Sequence, residues 1–287
     1  MAEPGAAPSF YVADESGFRS SENTRGPWDA DSQHAGPPAA LVGRAIEFLD
    51  GIGETAADRH VGRITFEILK PVPIAPLRVE ATVVRPGRRV DMAEATLLDD
   101  AETPLIRARA WRLLRREVGV PAGLAGADEG GAAQRAGRPS GETGPPRPPG
   151  DLDSGVDFFP TGHDVGYHTA MEYRFASGSF LDPGPATAWM RMRMPLIAGE
   201  EPTPLQRVLV AADSGNGISS TLDFRRYVFI NVDLTVHLGR LPAGEWVCLD
   251  SLTVPEPTGV GLTDTMLLDE RGPLGRAAQT LLVAERS

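Results

Sequence analysis

The chain has 287 residues, 41% of them hydrophobic, which is enough for one large core or two of ordinary size and too many for disorder throughout. Its formal charge of −11 argues against general binding of nucleic acid or anionic lipid, since both need an excess of basic residues. No uncharged apolar run is long enough to span a bilayer, and the start "MAEPGAAPSF" lacks a signal-peptide pattern, so the expectation is a cytoplasmic protein without membrane contact.

In chain order, residues 9–12 supply a leading strand, and "SQHAGPPAALVGRAIE" at 32–47 opens a helix. Val42, Ala45, Ile46 and Leu49 fall on one face of that helix, with Gly51 as its expected C-cap. "RITFEILKPVPIAPLRVEATVVRPGRRVDMAEATLLDDAETPLIRARAWRLLR" then gives four β-prone runs, with Ile64, Phe66 and Ile68 on one strand face and "DDAET" as a hairpin turn. Residues 117–155 are dominated by Gly, Pro, Ala and charge, and read as a flexible linker between units at 1–116 and 156–287.

The second unit repeats the first. "ATAWMRMRMPL" supplies a strand, and "TPLQRVLVAADSGNG" a helix with Thr203 as N-cap, Pro204 in its first turn and an end near Gly215. "FINVDLTVHLGRLPAGEWVCLDSLTVPEPTGVGLTDTMLLDERGPLGRAAQTLLVAER" follows as strands, with Val232, Leu234 and Val236 on one face and "DERGP" as the hairpin turn. Setting Val79 on Val247 also brings "LLD" at 97–99 near "LLD" at 267–269. A helix followed by an antiparallel meander, present twice, predicts an α+β double hotdog: two antiparallel sheets, each wrapped around a central helix.

"QHAGPPAALVGRAIE", "PLQRVLVAADSGNG", "FINVDLTVHLGRLPAGEWVCLDS" and "GRAAQTLLVAER", in this order and spacing, resemble the double-hotdog acyl-CoA thioesterases, including the bacterial thioesterase II group and actinobacterial members. The resemblance implies hydrolysis of acyl-CoA or acyl-carrier thioesters, with the carbonyl near the start of a helix and a water oriented by an Asp, a hydroxyl or amide residue and a Gln. Those three roles fall on Asp213, Asn231 and Gln279. Asn231 stands where the family usually has Thr or Ser; an amide can position water but cannot relay a proton as a hydroxyl does.

Thioester hydrolysis needs an activated water and donors for the carbonyl oxygen. The unpaired first amides of the helix opening at 36, at Ala35 and Gly36, are candidate donors, and Gly36 would let a ligand approach the backbone. His34 stands beside them as a base or donor, with Gln33 as its rival. Ser214, Asn216 and Ser219 are candidate pocket-lining residues. Arg88 and Arg89, with Arg85, or the pair Arg225-Arg226, are candidates for binding CoA phosphates. Cys248 is expected in the core, and His60, His163, His168 and His237 lack metal-ligand spacing, so neither metal nor cofactor is predicted. No G-x-S-x-G or G-x-G-x-x-G motif occurs. A non-catalytic acyl-thioester-binding protein and a hotdog dehydratase or hydratase are the alternatives. Double hotdogs could pair further into a homo-oligomer.

Overall fold

Alternating burial organises the strands. Ile64 and Phe66 face inward from β3 (Arg59–Ile68), as do Leu234 and Val236 from β10 (Asp233–Leu238). The computed structural model describes residues 7–52, 55–119, 138–142 and 145–286. Its first half contains β1 (Tyr11–Asp14), β2 (Gly17–Ser20), α1 (Gly36–Glu47), β3, β4 (Pro76–Arg85), β5 (Val90–Asp99) and β6 (Pro104–Leu114). The second contains α2 (Tyr167–Ala170), β7 (Met171–Ser177), β8 (Ala186–Met192), α3 (Pro204–Ala212), α4 (Gly215–Ile218), β9 (Tyr227–Asn231), β10, β11 (Val247–Pro255), β12 (Val260–Asp269) and β13 (Gly272–Glu285).

Hydrogen bonding joins these strands into one sheet, where two were expected. Its order is β1-β2-β4-β5-β6-β3-β10-β13-β12-β11-β8-β7, with β9 pairing β13 off this path. The link is β3 against β10, where Thr235 pairs with Thr65 and their hydroxyls meet at 3.2 Å. Each half of the sheet carries its own helix: α1 lies against β3, β4, β5 and β6, and α3 against β8 and β11. The hairpin turns at 99–103 and 269–273 form as read. Asp99 and Asp269 hold them by accepting backbone amides.

Some boundaries differ from the sequence reading. α1 ends in a cap at Phe48, not Gly51, because the Phe48 amide closes the last turn on Arg44 and Ile46. The expected strand through Val232 is interrupted there. Val232 is exposed, and its amide and carbonyl bond to Thr280 and Ile68, so Asn231 stands at a strand end. Most of 117–155 lies outside the described residues. Of the rest, Ser140 and Arg138 bind Asp250 of β11, and the Arg147 carbonyl accepts the Trp189 indole at 2.8 Å.

The two helices run antiparallel and in close contact. The start of α1 meets the end of α3: a Cβ at Gly36 would lie 2.3 Å from the Val210 carbonyl oxygen. At the opposite ends, the Thr203 hydroxyl donates to Glu47 at 2.7 Å and accepts the Gln206 amide at 3.2 Å, the N-cap read from the sequence. Gly43 lies between, where a Cβ would fall 2.2 Å from Leu209. Both glycines are therefore packing residues that let the helix backbones approach.

Candidate functional site

The start of α1 against the end of α3 is where the candidate residues converge. α3 stops at Ala212 and α4 begins at Gly215, so Asp213 and Ser214 occupy the break. Asp213 is 7% exposed. Its Oδ1 accepts a hydrogen bond from Asn231 Nδ2 at 2.8 Å and another from Gln279 Nε2 at 3.2 Å.

Gln279 fastens the break as well as the carboxylate. Its Nε2 also donates to the Asp213 carbonyl at 3.1 Å, and its Oε1 accepts the Asn216 amide at 3.1 Å. These partners fix the orientation of the amide and use both of its Nε2 hydrogens. A side chain at position 215 would collide with this arrangement, since a Cβ there would lie 2.5 Å from Thr265 Oγ1. Asn231 gives its second Nδ2 hydrogen to the Asp233 carbonyl at 3.3 Å, which leaves its side-chain oxygen as an acceptor.

Asp213 Oδ2 faces His34, with Nδ1 3.2 Å away. That nitrogen also lies 3.1 Å from the Gly36 amide; with one in-plane position, Nδ1 accepts this amide in the neutral Nε2–H form and donates to Asp213 when it carries a proton. Burial lowers the His34 pKa, against an opposing upward pull from Asp213. The ring stacks on Tyr167, with centroids 3.7 Å apart and planes 8° from parallel. The Tyr167 hydroxyl bonds the Val210 carbonyl at 2.7 Å and Ser214 Oγ at 2.9 Å, and burial raises its pKa.

Four candidates thus meet: His34, Asp213, Asn231 and Gln279. The expectation for Gly36 is corrected on two counts. Its amide is spent on its own neighbour's imidazole, and its missing side chain makes room for Val210, not for a ligand. The Ala35 amide, one residue earlier, has no acceptor among the described residues. Gln33 is structural, donating to the Pro73 carbonyl at 2.7 Å and accepting the Tyr11 hydroxyl at 2.6 Å.

Arg88 and Arg89 are not brought to this group. They sit exposed on the β4–β5 turn, where Arg59 bonds the Gly87 and Arg88 carbonyls beyond the far end of α1. At 1.5 Å per residue the helix places that turn roughly 18 Å from His34. Of the other polar candidates, Ser214 touches Tyr167, Asn216 reaches the Phe229 carbonyl at 3.2 Å, and Ser219 bonds Gly215 and Thr253. Cys248 is buried, its thiol pushed up by desolvation. No group of three potential metal ligands exists among the described residues.

Tyr167 was not singled out from the sequence. No spacing relates it to His34; the two meet because the Tyr167 amide bonds the Arg25 carbonyl at 2.9 Å while the His34 amide bonds that of Thr24 at 2.8 Å.

Comparison with known proteins bears on the fold and the family. Residues 24–113 match the model of the acyl-CoA thioesterase N-terminal domain, and residues 142–283 that of the C-terminal domain. No curated protein matches the chain in sequence. Among solved structures, a candidate thioesterase II of Thermobifida fusca YX superposes with a TM-score of 0.69 at 16% identity, covering 98% of this chain and 100% of that one. A hot dog fold protein of Alicyclobacillus acidocaldarius gives 0.67 at 15% identity, covering 96% of each. Acyl-CoA thioesterase II TesB2 of Mycobacterium marinum gives 0.59 at 11% identity, covering 89% of this chain and 91% of that one. The shared fold is the hotdog fold, and both halves of the chain match their respective domain models in order. The chain belongs to the acyl-CoA thioesterase family, a family of thioester hydrolases.

Proposed function

We propose that this protein hydrolyses acyl-CoA thioesters to free acid and CoA, with Asp213 as the base that activates water. The observation that carries this is the asymmetry of the carboxylate: Asn231 and Gln279 hold Oδ1, while Oδ2 has no amide donor among the described residues and faces His34. Oδ2 and the Asn231 side-chain oxygen then provide two acceptors for one water, leaving its lone pair for the thioester carbon. Attack transfers a water proton to Oδ2 and places negative charge on the carbonyl oxygen. The Ala35 amide, at the positive end of α1, and His34 Nε2–H are the donors for that charge. Collapse expels CoA thiolate, which takes up a proton. Gln279 works by positioning Asp213, since its donors are already committed.

In this reading the chain is two fused hotdog units, 1–116 and 156–287, joined by 117–155, and it works without metal or cofactor. Among the described residues no helix is long and apolar enough to cross a membrane. The experiment is a thiol-release assay over a series of acyl-CoA chain lengths, with Asp213→Asn alongside. Wild type should release CoA from at least one ester and the variant should be severely slowed. Saturable binding without thiol release would replace hydrolysis by an acyl-binding role, and an unimpaired variant would remove Asp213 from the mechanism.

A further inference from the structure

The proposed hydrolysis leaves a neighbouring group of side chains without a role. Phe229 and Asn231 are two residues apart on β9 and so share a face. Asn231 holds Asp213, and Phe229 meets Trp28 edge-on with centroids 5.9 Å apart. Trp28 stacks on Phe159 at 4.8 Å and packs against Phe224 at 5.9 Å, yet is 47% exposed.

Three arginines border these rings. The Arg225 guanidinium lies 5.6 Å from the Phe224 centroid and that of Arg226 lies 5.7 Å from the Tyr227 centroid. Arg286 bonds the Arg226 carbonyl through its amide and the Phe224 carbonyl through Nε, both at 2.8 Å. None of the three forms an ion pair with a carboxylate among the described residues. Asp223 lies close in sequence, but its carboxylate accepts the Arg225 backbone amide at 2.9 Å. These three cations stand beside an exposed indole in a chain of net charge −11, with Asp29 next to Trp28 and Glu285 paired opposite Tyr227 as further carboxylates nearby.

We propose that this patch docks the nucleotide end of the CoA thioester, with adenine on the Trp28 and Phe224 rings and the phosphates on Arg225, Arg226 and Arg286. Guanidinium forks match phosphate oxygens, and aromatic faces stack on a base. The spacing fits the rest of the substrate. Tyr227 precedes Asn231 by four residues of extended strand, about 13 Å at 3.3 Å per residue, a span that an extended pantetheine arm covers. The inference rests on the reading of Asp213 as the thioester-hydrolysing site, and it assigns the specificity of that site to CoA.

The test compares one acyl group presented as its CoA ester and as its N-acetylcysteamine ester, which keeps the thioester but has no nucleotide. The double variant Arg225→Glu, Arg226→Glu should raise KM for the CoA ester about tenfold or more, while kcat/KM for the short ester changes less than about twofold. The adenosine bisphosphate fragment of CoA should inhibit CoA-ester hydrolysis competitively and quench tryptophan fluorescence, a signal lost in Trp28→Phe. An unchanged KM for the CoA ester, or an equal loss on both esters, overturns the proposal. If wild type cleaves neither ester, the hydrolase reading has failed instead. Quenching by the bisphosphate fragment then still decides whether the patch binds nucleotide.

Discussion

The two ends of the antiparallel helix pair occupy matching places in the two halves and are filled differently. At the end formed by the start of α1 and the finish of α3, a carboxylate stands in a helix break, held by two amides and faced by an imidazole. At the other end, the finish of α1 is covered by Arg112. This guanidinium donates to both oxygens of Asp91, at 2.8 and 2.9 Å, and to the Ile46, Leu49 and Asp50 carbonyls. Counting from the matching bulges after Leu97 and Leu267, Ala110 occupies the place of Gln279. An alanine cannot bridge a helix break, and a guanidinium on the helix-terminal carbonyls leaves no acceptor for a water. On the proposed reading, one end serves chemistry and the other stability.

The largest effect should come from breaking the second end. Arg112→Ala leaves the last α1 carbonyls buried without their donor and Asp91 with only its ion pair to Arg59, at 3.0 Å, which should cost about 3 kcal/mol of unfolding free energy in urea titrations. Thiol release per folded molecule should stay within about twofold of wild type, because the site lies a helix length away. Loss of activity under conditions where the variant is still folded would show that the two ends are coupled.

At the first end the balance should reverse. Asp213→Asn keeps the shape and removes the base, so kcat should fall about 10²- to 10⁴-fold, as general-base loss does, with a stability change below about 1 kcal/mol. The measurement is steady-state thiol release beside a denaturation curve. A variant that loses stability and activity together would make Asp213 a structural residue like Arg112.

Much of this contrast could be read in the sequence. The repeat, both helices and the hairpin turns follow from periodicity and turn chemistry. Thr203 and Pro204 announce α3 because caps are local. Asp213, Asn231 and Gln279 came from resemblance, and the fold brings them within hydrogen-bond reach of one another. What could not be read depends on contacts distant in sequence. Gly36 looked like an opening for a ligand because nothing local shows that the Val210 carbonyl, 174 positions later in chain order, needs that space. Arg88 and Arg89 looked like phosphate ligands because composition carries no record of which end of α1 their turn adjoins. Joining the sheets through β3 and β10 likewise required knowledge of which strand edges were free.

Gly36→Ala tests the packing explanation with a smaller change. A methyl group 2.3 Å from the Val210 oxygen must push the helices apart, at a cost of about 1–3 kcal/mol by thermal or chemical unfolding. The same displacement carries His34 away from Asp213, so kcat should fall too, without the near-abolition expected of Asp213→Asn. Gly43→Ala, which meets the end of the Leu209 side chain and no backbone, should cost less and leave kcat close to wild type. Equal behaviour of the two variants would remove the special position of Gly36.

The smallest effect concerns the charge state of His34. Its folded pKa lies below the ordinary histidine value of about 6.5, because burial disfavours the imidazolium more than Asp213 favours it. At pH 7 the ring is therefore neutral in both folded and unfolded chains, and this contribution to stability is fully present. As pH falls through the ordinary value, the unfolded chain gains a proton that the folded chain still refuses, so unfolding becomes easier down to the lowered folded pKa. His34→Gln should flatten that part of the stability–pH curve. Asp213→Asn removes the charge that opposes the shift, so the His34 ring signal in an NMR titration should move to a still lower midpoint. An upward shift would mean that Asp213 was not the partner holding the imidazolium, and the first end would lose its central pair.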